Sequence, residues 1–321
     1  MKNSRLFILI PMLLALVSVN ASARDVVLKR VSEFSEIPSH ADLYKSYKNT
    51  IVVMDDDDTL SMMSCDLGNP LNYCQYLGGP AWFDWQKSLL KDQPESEFLV
   101  AKDEQGLLDV SSYLLSISNM TYTADDVSSS IRHLVNEGAR LMVLTARGTE
   151  DVATTNKQFE SLNVSGGEGN ESLASIIESN AVLTDQVDLS AYIEKCTPAE
   201  NGTSLVYDKG VVYTSGQEKG PILKCLADAF NVDAEKDESL AHIKNIIFID
   251  DVFENARNMY LTFRGTKYYN MYAMSYGRLD EHKAAFTRGD NSATFQELAH
   301  QRWLKIKDAK EKKLPVPEII D

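Results

Sequence analysis

Cysteine and histidine are scarce, four of one and five of the other in 321 residues. The cysteines, at 65, 74, 196 and 225, lack the close paired spacing that builds a zinc site. Positive charge is also in deficit. Against 47 Asp and Glu there are 32 Lys and Arg, a formal net charge of −15. A surface of that sign repels polyanions, so neither nucleic acid nor an anionic membrane is an expected partner. No internal repeat or low-complexity tract is present. The apolar run from Leu6 to Val19 is 14 residues long and contains Pro11, whereas a spanning helix needs roughly 20 apolar residues.

That run has a different reading. Lys2 and Arg5 precede it and Ala21-Ser22-Ala23 follow it, the pattern of a secretory signal peptide cleaved after Ala23. The first cysteine beyond that point is Cys65, so neither a lipoprotein anchor nor any other stable membrane anchor is expected. The expected location is periplasmic or secreted. In such an oxidising compartment four cysteines permit two disulfides, in three pairings. Cys65 with Cys74 is the local pair, and buried free thiols are the alternative. Removing residues 1–23 leaves 298 and takes the charge to −17. A chain of that size fits one core carrying an insertion.

Three short apolar runs predict buried parallel strands: Thr50 to Met54, Arg140 to Leu144 and Asn245 to Ile249. Lys267 to Ala273 is a fourth, weaker one. Helical periodicity covers Asp125 to Glu137, ending at Gly138, Pro221 to Phe230, Glu254 to Phe263, and roughly Ser292 to Lys312. A hairpin is expected over Ser204 to Thr214, turning at Asp208-Lys209-Gly210. Strands alternating with helices predict an α/β fold, an open parallel sheet with helices on both faces.

In such a sheet ligands bind beyond the carboxyl ends of the strands, and each of the three runs delivers polar residues there. The first ends in Asp55-Asp56-Asp57-Asp58-Thr59-Leu60, the second in Thr145-Ala146-Arg147, and the third in Asp250-Asp251. Two carboxylates about 5 Å apart at an effective dielectric near 20 repel by roughly 3 kcal/mol. A hard divalent cation with oxygen ligands, Mg²⁺ first among them, answers that repulsion. An EF-hand calcium loop does not fit, because Leu60 stands where that loop demands glycine and a strand precedes it.

An apolar strand ending in Asp-x-Asp-x-Thr-Leu resembles the first signature of the haloacid-dehalogenase (HAD) superfamily, and Thr59 sets the register to Asp55 and Asp57. The resemblance implies that Asp55 attacks phosphorus and that Asp57 protonates the leaving oxygen and then activates water. LMVLTARG resembles the second signature, implying that Thr145 and the neighbouring backbone at Ala146 hold a phosphoryl oxygen. Arg147 either binds an anionic part of the substrate or pairs with a carboxylate. SGQEKGPILKCL supplies Lys219 as the third-signature lysine, with Lys224 as its competitor. FIDDVFEN resembles the fourth, with Asp251 as the preferred metal ligand, Asp250 as a ligand or as a partner of Lys219, and Asn255 in supporting contact. The implied metal set is Asp55, Asp57, Asp250 and Asp251.

The four signatures stand in the superfamily's order between Thr50 and Asn258. They imply a HAD-like Rossmannoid core at 24–60 and 122–290, a cap inserted at 61–121, and a C-terminal helix and tail at 291–321. LGGPAWFDWQ within the insertion resembles a segment of exported bacterial members. Trp82, Phe83 and Trp85 either line a leaving-group pocket or form the cap's own core. The implied activity is hydrolysis of a small phosphorylated substrate. A catalytically silent binding or surface-interaction protein and a phosphotransferase are the alternatives.

Overall fold

The computed structural model describes residues 24–44, 46–64, 76–166, 171–184, 189–198 and 204–315. The expected signal peptide and the Cys65–Cys74 pair lie outside them. The described residues open with β1 (Val26–Val31) and α1 (Glu36–Tyr44), then enter β2 (Thr50–Met54). A short ribbon, β3 (Ser61–Met63) with β4 (Met120–Tyr122), brackets α2 (Pro80–Asp92) and α3 (Glu104–Ile117). Next come α4 (Asp126–Asn136), β5 (Arg140–Thr145) and α5 (Val152–Ser161), then a second ribbon, β6 (Asn163–Val164) with β7 (Glu171–Ser172). The rest runs α6 (Leu173–Ser179), α7 (Leu189–Cys196), β8 (Val206–Asp208), β9 (Val211–Tyr213), α8 (Lys219–Ala234), β10 (Asn245–Asp250), α9 (Phe253–Phe263), β11 (Asn270–Tyr276), α10 (Asp280–Arg288) and α11 (Ser292–Glu311).

Among the described residues, seven strands form the central sheet in the order β1-β11-β10-β2-β5-β9-β8. All pairings in it are parallel except the β8–β9 hairpin. β2 therefore lies between β10 and β5, and the carboxyl ends of those three strands are neighbours. Every residue of β2 and β10 is buried, which is why both read as continuous apolar runs rather than as alternating ones.

The period-two geometry of a strand sends their side chains to two cores. Ile51, Val53, Ile246 and Phe248 pack with α7, α8 and α9 on one face. Val52, Met54, Ile247 and Ile249 pack with α1, α4, α5 and α6 on the other. Burying one such side chain stabilises the fold by about 1.5–3 kcal/mol.

The expected strand at Lys267 begins three residues later, at Asn270. Gly265 at φ +85° carries the chain through a turn that leaves Tyr268 exposed. β1 was not anticipated from the sequence. It is an edge strand carrying Lys29 and Arg30 on a half-solvated surface, and such charges protect an exposed edge from further pairing. α8 starts at Lys219, two residues before the expected Pro221, and it accommodates the proline because an N–H in the first helical turn has no carbonyl within the helix to bond, so the one that proline lacks is not missed.

A third apolar cluster holds the helices of the 61–121 insertion. Trp82, Leu107 and Leu114 from α2 and α3 pack with Phe286, Phe295, Trp303 and Ile306 from α10 and α11. Helices α2 and α3 thus share one core with α10 and α11. Behind the sheet, Cys196 on α7 is disulfide-bonded to Cys225 on α8. Among the described residues, no helix is long and apolar enough to cross a membrane.

Candidate functional site

Asp55 continues β2 by one residue, its N–H donating to the carbonyl of Ile249 on β10 at 3.0 Å. The chain then turns tightly. The N–H groups of Thr59, Leu60 and Ser61 all donate to the carbonyl of Asp56, at 3.1, 2.9 and 3.0 Å. Asp58 takes φ +58° to close the turn, a left-handed conformation that aspartate tolerates better than most residues. Thr59 then ties this turn to the end of β10, its hydroxyl accepting from the backbone N–H of Asp251 at 2.9 Å. Of the five residues Asp55 to Thr59, only Asp57 is not buried.

The aspartates sort into two halves. In the first, Lys219 at the start of α8 donates to Asp55 and, at 2.7 Å, to Asp250. Asn255 donates to both oxygens of Asp250 at 3.0 and 3.1 Å, and the Val252 N–H adds a bond at 2.9 Å. Gly220 lets this lysine approach. A side chain there would collide with Asn258 and Thr262 of α9, whereas the glycine N–H donates to Asn258 Oδ1 at 3.0 Å. Lys224, the competing lysine, is half-exposed and pairs with Asp228 instead.

In the second half, Arg147 meets Asp57 with two bonds, from Nε at 2.9 Å and from Nη2 at 2.7 Å. Its Nη1 donates to Thr155 and Gln158 at 2.9 and 2.8 Å and lies 3.1 Å from Asp56 Oδ2. Of the two readings of Arg147, the carboxylate partner is the one the structure displays. Arg147 also lines the cleft, where its guanidinium is engaged by Asp57, Thr155 and Gln158. Thr145 and Ala146 line the open cleft, with Thr145 Oγ1 accepting from the Arg147 N–H at 3.2 Å.

Electrostatics follow from burial. Desolvation pushes the Asp55 carboxyl up, against the pull of Lys219 and helped by the charges of Asp250 and Asp251. Desolvation likewise raises Asp58, with Asp251 adding to it and Lys283 opposing, and raises Asp251 against Lys283. For Lys219 burial works against the charged form, yet Asp250 and Asp55 outweigh it and its pKa rises. A buried group held in that way is a common mark of a functional site.

Among the described residues, Asp55, Asp250 and Asp251 form a group in which one carboxylate oxygen from each lies within 4.8 Å of the others, all three residues buried. Three hard oxygen donors at that separation fit a cation of the Mg²⁺ or Ca²⁺ kind. Asp57, expected as a fourth ligand, stands outside this trio with both oxygens on Arg147.

Two contributors were not foreseen. Lys283 of α10 donates to Asp251 Oδ2 at 2.6 Å, and nothing in a polar helix far down the chain signals it. Gln158, on α5, was also missed. A cleft of about 490 Å³ opens over the group between the sheet and α2–α3. Phe83 lines it, while Trp82 is fully buried in the helical cluster and Trp85 packs on Phe98 and Phe286.

Fold and site together define a Rossmann-like α/β protein with a buried acidic centre at the carboxyl ends of adjacent parallel strands. Residues 30–310 match the family described as "Protein of unknown function (DUF2608)", and the chain belongs to that family. No curated protein matches it.

Proposed function

We propose that this protein is an exported phosphatase of HAD type that hydrolyses small phosphomonoesters with a divalent metal, Mg²⁺ first among the candidates. The observation that carries the reading is the meeting of Asp55, Lys219, Asp250 and Asp251 at one point. They come from three elements well separated in sequence, and Thr145 stands at the end of the next strand. A strand order with β2 flanked by β10 and β5 supports it, as does the insertion bracketed by β3 and β4, which on this reading is the cap. The Cys196–Cys225 disulfide supports export, since such bonds persist in oxidising compartments.

On this reading an Asp55 carboxylate oxygen attacks phosphorus, forming an O–P bond as the ester O–P bond breaks. Asp57 gives its proton to the departing alcohol, then takes one from water as that water attacks the aspartyl-phosphate and frees inorganic phosphate. Lys219 neutralises charge on Asp55 and on the transferring group, and Thr145 with the Ala146 backbone holds a phosphoryl oxygen. A cation held by Asp55, Asp250 and Asp251 would supply further neutralisation of the phosphoryl oxygens.

One observation favours a catalytically silent binding protein instead. Arg147 engages both oxygens of Asp57, so proton transfer requires Arg147 to yield one of them. Turnover of p-nitrophenyl phosphate with Mg²⁺, abolished by chelator and by Asp55→Asn, is the expected result. Folded protein that turns over nothing across a wide panel of phosphomonoesters would overturn the enzyme reading.

A further inference from the structure

The acidic centre holds more negative charge than its motif cations balance. Asp55, Asp56, Asp57, Asp58, Asp250 and Asp251 face Lys219 and Arg147, and the third cation, Lys283, comes from outside the strand ends. It is not a loose surface lysine. Its side chain is 22% exposed and the Asp251 side chain it meets at 2.6 Å is 3% exposed. Its helix is also pinned at that point. Tyr76 stacks on His282 and on Phe286, with ring centroids 4.4 and 4.5 Å apart, and its hydroxyl donates to the His282 carbonyl at 2.9 Å. Phe286 is wholly buried. Lys283 is thus delivered to one member of the Asp55–Asp250–Asp251 trio by a helix that packs its apolar side into the α2–α3–α11 cluster and whose first residue, Asp280, pairs with Arg30 of β1.

We infer that Lys283 is the protein's own competitor for the divalent cation at Asp251, so that it sets the metal affinity and links metal binding to the seating of α10. The inference rests on the metal-dependent reading above. Its physical basis is that an ammonium and a divalent cation draw on the same buried carboxylate, and a unit charge a few ångströms away in a partly buried site acts strongly on both. Coupling of this kind is reciprocal: whatever the lysine costs the metal, the metal costs the lysine.

The test is calorimetric titration of the full chain with Mn²⁺ alone, comparing the wild type with Lys283→Met and Lys283→Arg. Lys283→Met is expected to bind at least about tenfold more tightly, and Lys283→Arg, which keeps the charge, to stay near the wild type. Equal or weaker binding by Lys283→Met overturns the inference. If only that variant fails to fold, hydrogen exchange on the wild type decides. Saturating Mn²⁺ should accelerate exchange of the amides in 280–288, and unchanged or slower exchange there overturns the inference. A wild type that binds no Mn²⁺ removes the metal reading and this inference together. Binding by the wild type with no gain in Lys283→Met removes this inference alone.

Discussion

The two halves of the acidic centre share one loop, which gives Asp55 to the first and Asp56 and Asp57 to the second, yet they solve the problem of buried charge differently. Around Asp55 the compensating cation is a lysine, a compact charge that touches Asp55 and Asp250. The third carboxylate of the trio, on Asp251, takes its cation from the long arm of Lys283 on one oxygen and accepts from the Thr59 hydroxyl at 3.4 Å on the other. Around Asp57 the cation is an arginine, whose planar fork meets the carboxylate with two parallel bonds and whose remaining donors reach Thr155 and Gln158. A bidentate guanidinium pair fixes geometry as well as charge. The lysine half leaves oxygens to share with a further cation, and the arginine half is already closed. On the phosphatase reading proposed above, chemistry and metal belong to the first half, and the second acts on them through Asp57.

The largest effect expected from breaking this arrangement is at Asp55. Asp55→Asn should lower turnover of p-nitrophenyl phosphate by at least about 10³-fold, with binding of Mn²⁺ weakened but the melting temperature not lowered. Residual activity near the wild-type rate would show that the nucleophile lies elsewhere. Asp57→Asn should cost less, because it removes a proton carrier worth about 10²–10⁴ in rate.

Next come the two cations. Lys219→Met leaves Asp55 and Asp250 facing each other, with side chains 9% and 0% exposed. Breaking a buried pair from one side costs about 3–5 kcal/mol, readable by urea unfolding. Arg147→Met strands Asp56, which is fully buried, but leaves Asp57 with a 26% exposed side chain for water to solvate. Its cost should be about 3 kcal/mol, at the lower end of such losses. The comparison sharpens when metal is added. Mg²⁺ should restore stability to Lys219→Met, since a cation can replace the missing charge within the trio, and should leave Arg147→Met unimproved. Equal rescue of both would dissolve the distinction between the halves.

What the sequence revealed divides along the same line. β2 was legible to the residue, Thr50 to Met54, because a strand buried on both faces must be apolar throughout. The positions of Asp55, Thr145 and Asp250 followed from where such strands stop. Lys219 was legible because Gly220 and the helix start accompany it. The destination of Arg147 was not, since an arginine after a strand carries no record of which carboxylate it will meet. Lys283 was invisible for a related reason. Its partner lies 32 residues away across a packing of α10 on α2, and long-range seating of that kind leaves no local pattern. β1 escaped because an edge strand half in solvent needs neither a continuous apolar run nor strict alternation.

The smallest effect concerns protons rather than partners, and it tests whether the arginine half is as closed as its geometry implies. Burial pushes the Asp56 carboxyl up to about 6, with Arg147 pulling it down and Asp57 pushing it further up. A folded-state value above the unfolded one means that the native protein holds this proton more tightly. Asp56 then contributes stability that is fully present below pH ~4 and is lost as pH rises through about 6. Urea unfolding of metal-free protein across that window should show Asp56→Asn losing less stability with rising pH than the wild type. Wild type and Asp56→Asn following parallel pH curves would mean that Arg147 already keeps Asp56 ionised throughout, and that the arginine clamps both of its aspartates rather than one.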